Sequence, residues 1–286
     1  MTIWTDLMGA QVRYVGRRYR TRVIEAGSGP PLVLAHGGGG HAEHYSRNVL
    51  RLAKQFHVYA YDMLWHGYSP APEVDEDAML RFDEQLMDLM DTEGIERAIV
   101  GGASSGAFAP LRMAINNPER VRGLVLVVPG HIRYPAREVT ERAQYATLHT
   151  QTHDALANVT EAKIRARLEW LMADPGSVTD ELVAVRTAIY SSEDGNAATR
   201  AYYALTESEA GHRFDVTEDE LRGLTVPTLL IWSRGGNGVS PQRAEWLSQV
   251  IPNMTYCLIE PAGHWPQWER PEQHDEAIME FARSIP

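Results

Sequence analysis

The chain has 286 residues, 44% of them apolar and 23% charged, enough to bury about three quarters of its unfolded surface as one large domain or a core with an insertion. Its net charge is −11, and its densest basic patch is only Arg17, Arg18, Arg20 and Arg22 on an expected hairpin, which argues against nucleic acid as a partner. The N-terminus MTIWTDLMGA carries no basic or apolar leader, and the single cysteine, Cys257, reads as a buried, inert thiol in an apolar run. With no stretch approaching about 18 apolar residues, the expectation is a soluble, cytoplasmic protein with no membrane partner.

Short apolar runs alternate with helical patterns, the signature of a mostly parallel sheet flanked by helices. Residues 11–26 predict a hairpin, and Pro31–Ala35 and His57–Asp62 predict strands. Ala78–Asp91 has helical periodicity in Leu80, Phe82, Leu86, Met87 and Met90. Arg97–Ala103 and Val121–Val128 are the next strands, the second closed by Pro129-Gly130. From His131 to about Leu224 the pattern is helical and polar, with no strand-like run. Alternation resumes with a strand at Pro227–Trp232, a helix from Pro241, a last strand at Met254–Ile259 and a closing helix at Glu272–Ile285. The expected organisation is an α/β core over 1–131, a helical lid over 132–224 and the rest of the core over 225–286.

Residues 99–106 read Ile-Val-Gly-Gly-Ala-Ser-Ser-Gly, so Ser104 stands in Gly-x-Ser-x-Gly between a strand-like run and an alanine-rich helical segment. That context marks a nucleophile held on a sharp bend over a helix N-terminus; the bland alternative is a glycine-rich turn with a capping serine. A hydroxyl needs a base and an oxyanion site to become a nucleophile. His264, just beyond the last strand, is the strongest base among eleven histidines. His41 and His44 could share a helix face as metal ligands, but no third ligand accompanies them, so no metal is expected. Residues 36–40, His-Gly-Gly-Gly-Gly, follow a strand and offer the Gly38 N–H as an oxyanion donor, with the Ser105 N–H as its partner. A phosphate cradle would need a Gly-Lys-Ser/Thr ending or a dinucleotide fingerprint, and neither is present.

This order of motifs, glycine loop, serine elbow, insertion and late Gly-His, resembles the α/β-hydrolase fold across nearly the whole chain, implying an eight-stranded, mostly parallel sheet with an inserted helical lid. Three segments are similar to the hydrolases that cleave carbon–carbon bonds in ring meta-cleavage products. They are Tyr61-Asp62-Met63-Leu64-Trp65-His66-Gly67-Tyr68-Ser69, Gly263-His264-Trp265-Pro266-Gln267-Trp268-Glu269, and Val178–Arg186. The resemblance implies a cofactor-free enzyme of aromatic catabolism acting on a small molecule. It places Gly37, Ala103 and Trp265 beside that substrate, with Arg186 gripping a carboxylate, a role that bidentate guanidinium chemistry suits. A solvated helix residue is the other reading of Arg186, and a homodimer stays open.

The resemblance breaks at the acid. In Ser233-Arg234-Gly235-Gly236-Asn237-Gly238-Val239-Ser240-Pro241 the matching position is Asn237, or Gly236 when counted from Trp232, and neither is a carboxylate. In a serine protease the corresponding loss lowers kcat roughly 10⁴-fold. Three explanations stand: Asn237 orients His264 through its carbonyl, another carboxylate takes over, or turnover is lost. The elbow also has Ala103 and Ser105-Gly106-Ala107 where that group has Asn and Met-Gly-Gly. The leading expectation is a hydrolase of a C–C, ester or lactone bond next to a carbonyl. The alternative is a ligand-binding, or a lyase- or dioxygenase-like, member of the fold.

Overall fold

The computed structural model describes residues 2–135 and 139–286. Eight strands form one sheet: β1 (Gln11–Val15), β2 (Thr21–Ala26), β3 (Pro31–Ala35), β4 (His57–Tyr61), β5 (Ala98–Ala103), β6 (Val121–Val127), β7 (Thr228–Ser233) and β8 (Met254–Ile259). Their order is β1-β2-β4-β3-β5-β6-β7-β8. β2 pairs antiparallel with both β1 and β4, and every other pairing is parallel. The expected hairpin over 11–26 is therefore β1–β2, and the remaining strands fall within one or two residues of their predicted bounds.

Central strands such as β5 (AIVGGA) and β7 (TLLIWS) are buried at every position, as continuous apolar runs covered by helices on both faces must be. The edge strand β8 is buried only at Ile259. Cys257 on that strand is consequently half-buried rather than enclosed, and the burial it does have pushes its thiol pKa up. The helix expected at Ala78–Asp91 opens as a tight turn, Ala78–Leu80, and continues as Arg81–Thr92 with Phe82, Leu86, Leu89 and Met90 against the core.

Between β6 and β7 lie helices Val139–Ala157, Glu161–Leu171, Asp180–Ser191 and Glu193–Thr206, with shorter ones at Glu209–His212 and Glu218–Arg222. Thr160, Thr179, Ser192, Ser208 and Thr217 cap five of them by accepting a backbone N–H, which sets where each turn begins. An isolated bridge, Ile132 to Val216, draws the two ends of this segment together. No helix of the described residues is long and apolar enough to cross a membrane.

In register, Ala35 of β3 lies beside Gly102 of β5, and Ala103 lies beside Val127 of β6. The loops that leave β3, β5 and β6 thus meet at one carboxyl edge, where open parallel sheets carry their sites.

Candidate active site

Ser104 follows β5 directly and adopts φ +52°, a left-handed conformation rare for a side chain with a Cβ and characteristic of functional strain. The glycines around it are sterically required. A Cβ on Gly102 would stand 2.1 Å from the Gly106 carbonyl oxygen, and one on Gly106 would stand 2.0 Å from that of His36. The bend thus forces the two flanking residues to be glycine, and the Phe108–Asn116 helix begins directly behind it.

The glycine loop after β3 packs on this bend: a Cβ on Gly37 would approach Ser104 Cβ to 3.2 Å, and one on Gly38 would approach Ser105 Oγ to 3.2 Å. Two buried histidines hold the loop. His36 Nδ1 donates to the Gly37 carbonyl at 2.8 Å while its Nε2 accepts the Met63 N–H at 3.1 Å. His66 Nε2 accepts the Gly39 N–H at 2.9 Å while its Nδ1 donates to the Leu64 carbonyl at 2.8 Å. Each ring is one donor and one acceptor, which only the neutral imidazole provides. Burial keeps them neutral, lowering His66 to about 3 and His36 well below its ordinary value. Met63, Leu64 and His66 belong to the Tyr61–Ser69 segment, so that segment serves to brace the glycine loop. Between the two braced residues, the Gly38 N–H has no partner among the described residues.

Ser104, Ser105, Gly37, Gly38, His264 and Trp265 line one cavity of about 180 Å³. The structure thus brings the expected nucleophile, base and oxyanion donors together; Ser104 and His264 share the cavity without a direct hydrogen bond. The His264 peptide N–H donates to the Leu171 carbonyl at 2.7 Å. Glu269 fastens the same loop to the lid, accepting the N–H groups of Gly263, Ala173 and Asp174 at 2.6, 3.0 and 2.9 Å. Burial first, then the positive charges of Arg167 and Arg243, lower His264 to about 4. It is therefore neutral at physiological pH and able to accept a proton.

Three expected residues are placed elsewhere. Asn237 does not orient His264: its amide donates to the Trp170 carbonyl at 2.9 Å. Gly236 leaves no room for an acid, because a Cβ there would lie 2.5 Å from Gly263 Cα. His264 Nδ1 accordingly has no side-chain hydrogen-bond partner among the described residues, and the Gly238 backbone beside it is the one group that raises its pKa against the lowering by burial. Arg186 is 1% exposed and lies outside the cavity. Its Nη2 donates to His44 Nε2 at 2.6 Å and its guanidinium lies over Trp265, 5.9 Å from the ring centroid. It is neither the expected carboxylate clamp in the cavity nor a solvated residue. His41 is likewise engaged, its Nδ1 3.0 Å from Glu43 Oε2. Ala103 ends β5, buried beneath the bend.

Sequence reasoning missed the lid's contribution. Arg167, Tyr202 and Tyr203 of the lid line the cavity, as does Arg243 of the core helix Pro241–Val250, also missed. His131 lines it too, with Nδ1 3.2 Å from Asp215 Oδ1. One signal was available for Arg167. It falls on the buried stripe of its helix with Ile164, Leu168 and Leu171, and an arginine at that spacing is out of place unless it has a polar task.

The α/β-hydrolase fold family matches the chain over residues 30–271. A 2-hydroxymuconate semialdehyde hydrolase of Pseudomonas putida is 28% identical over 265 residues, covering 92% of this chain and 90% of that protein. Carboxylesterase YbfK of Bacillus subtilis is 23% identical over 286 residues, covering 98% and 90%. Among solved structures, the 2-hydroxy-6-oxo-6-phenylhexa-2,4-dienoate hydrolase of Rhodococcus sp. strain RHA1 aligns with a TM-score of 0.83 at 22% identity, over 96% of this chain and 99% of that one. The eight-stranded sheet, the glycine-flanked bend and these likenesses agree: the chain belongs to the α/β-hydrolase fold family and is a hydrolase.

Proposed function

We propose that this hydrolase cleaves an ester, lactone or carbon–carbon bond next to a carbonyl, using Ser104 as nucleophile and His264 as a base that has no carboxylate behind it. Ser104 Oγ attacks the carbonyl carbon and passes its proton to the cavity-facing nitrogen of His264. The Gly38 and Ser105 N–H groups hold the oxyanion. Collapse of the intermediate expels the leaving group, which takes the proton back from His264. Water, activated by the same imidazole, then releases the acyl group from Ser104. One observation carries this reading: a serine at positive φ, between glycines that cannot be replaced, shares a cavity with an imidazole kept neutral by burial.

The substrate is a small molecule, a reading supported by similarity to a 2-hydroxymuconate semialdehyde hydrolase and a hexa-2,4-dienoic acid hydrolase. A single half-buried cysteine suits a reducing, cytoplasmic setting. The test is turnover of 4-nitrophenyl esters and of a dienoate chromophore by the wild type, Ser104→Ala and His264→Ala. The proposal expects kcat to fall by roughly 10⁴-fold or more in both variants. The unpartnered His264 Nδ1 favours a second reading, a binder without turnover. Tight binding of a substrate analogue with no wild-type turnover of either probe would replace the first reading with the second.

A further inference from the structure

Arg167 lies in the lid helix Glu161–Leu171 and is 3% exposed. Its Nε donates to Thr152 Oγ1 at 2.7 Å and its Nη2 to the Tyr203 hydroxyl at 3.0 Å. Both partners are neutral. Its Nη1, also buried, has no partner, and among the described residues no carboxylate forms an ion pair with it. A buried cation without a counter-ion is among the most costly arrangements a protein keeps, and this one borders the cavity that holds Ser104.

The acids in the same cavity wall are already engaged. Glu207 pairs with His149 and His153, and Asp215 pairs with His131 and His212. Arg243, from the helix Pro241–Val250 on the other side, also borders the cavity and donates to the Tyr145 hydroxyl at 3.2 Å. Positive charge therefore reaches the cavity from the lid and from the core.

We infer that the Arg167 side of this cavity is an anion subsite, and that the substrate carries a carboxylate which seats on Arg167 Nη1 while Ser104 attacks its carbonyl group. The site differs from the Arg186 cluster, which lies outside the cavity against His44 and Trp265. A guanidinium already fixed by two hydrogen bonds loses little freedom on gripping an anion, so its geometry is prepared. The kinetic part of this inference rests on the proposed Ser104 chemistry; the binding part does not.

The test compares kcat/KM for 4-nitrophenyl hemiglutarate with that for the neutral 4-nitrophenyl hexanoate, and follows the thermal stabilisation of the protein by glutarate. The wild type is expected to prefer the carboxylated ester. In Arg167→Met that preference should fall about 30-fold or more, the loss expected of one buried hydrogen bond to a charged group, and glutarate should cease to stabilise the protein. Arg167→Lys should recover part of the preference. Arg165→Met, which alters a neighbour paired with Asp180 at the surface, should keep it. Should Arg167→Met not fold, Arg167→Gln carries the same expectation. A preference and a glutarate effect that survive both substitutions, or a wild type with neither, would overturn the inference. Glutarate stabilisation that depends on Arg167, with no hydrolysis of either ester, would uphold the subsite and reject the hydrolytic reading.

Discussion

The loop that follows β3 lines the cavity, and the loop that follows β7 packs behind His264, yet their polar groups are treated in opposite ways. After β3, His36 and His66 each spend one nitrogen as donor and one as acceptor, holding Gly37 and Gly39 and leaving the Gly38 N–H free for a ligand. After β7, Asn237 turns to the Trp170 carbonyl, Gly236 is pressed against Gly263, and His264 Nδ1 is left without a partner. On the proposed mechanism the oxyanion side is thus preorganised through neutral hydrogen bonds, whereas the proposed base, His264, lacks a carboxylate that would stabilise its protonated form. That mechanism would draw most of its rate from the groups that hold the oxyanion, and a cation formed on His264 would find its compensation in the substrate or in solvent.

Acid should have the largest effect on the braced half. On that half His36, His44 and His66 are held neutral by burial, with His66 lowered to about 3, and on the open half His264 is lowered to about 4. Once unfolded, each regains a pKa near 6.5 and takes up a proton below it, so the unfolded state binds more protons as the pH falls. Stability is therefore full above about pH 6.5 and is lost as the pH drops toward the folded-state values, each histidine contributing up to about 1.4 kcal/mol per pH unit. Urea denaturation between pH 7.5 and 4.5 should show this steep loss; a flat profile down to pH 5 would mean that these rings are not held neutral.

A smaller effect is expected on the open half. Asn237→Asp removes the donor to the Trp170 carbonyl and sets a carboxylate facing it, so kcat should change by less than about 10-fold. An acid that reached His264 Nδ1 would instead raise kcat by a factor approaching roughly 10⁴. A gain of that size, measured with 4-nitrophenyl butyrate, would show that the loop rearranges to rebuild a triad.

The distinction between the two halves also decided what was legible in the chain. The bend at Ser104 and the glycine loop were readable because their demands are local: a positive φ and approaches within about 2 Å of a Cβ select residue types at fixed spacing. The strands were readable from their apolar runs. The acid position could be counted to Gly236 from Trp232 or to Asn237 from Pro241, but the packing of Gly236 on Gly263 depends on a loop from a different strand. Arg186 and Arg167 both occupy buried stripes of lid helices, and helical spacing cannot say which stripe faces the cavity and which faces His44 and Trp265. That choice belongs to lid packing, which leaves no short motif.

Reaction with a fluorophosphonate followed by peptide mapping tests the central claim most directly. The account predicts a single adduct on Ser104 that is absent in Ser104→Ala and formed far more slowly in His264→Ala. An adduct on another residue, or labelling of Ser104 at the same rate without His264, would contradict it.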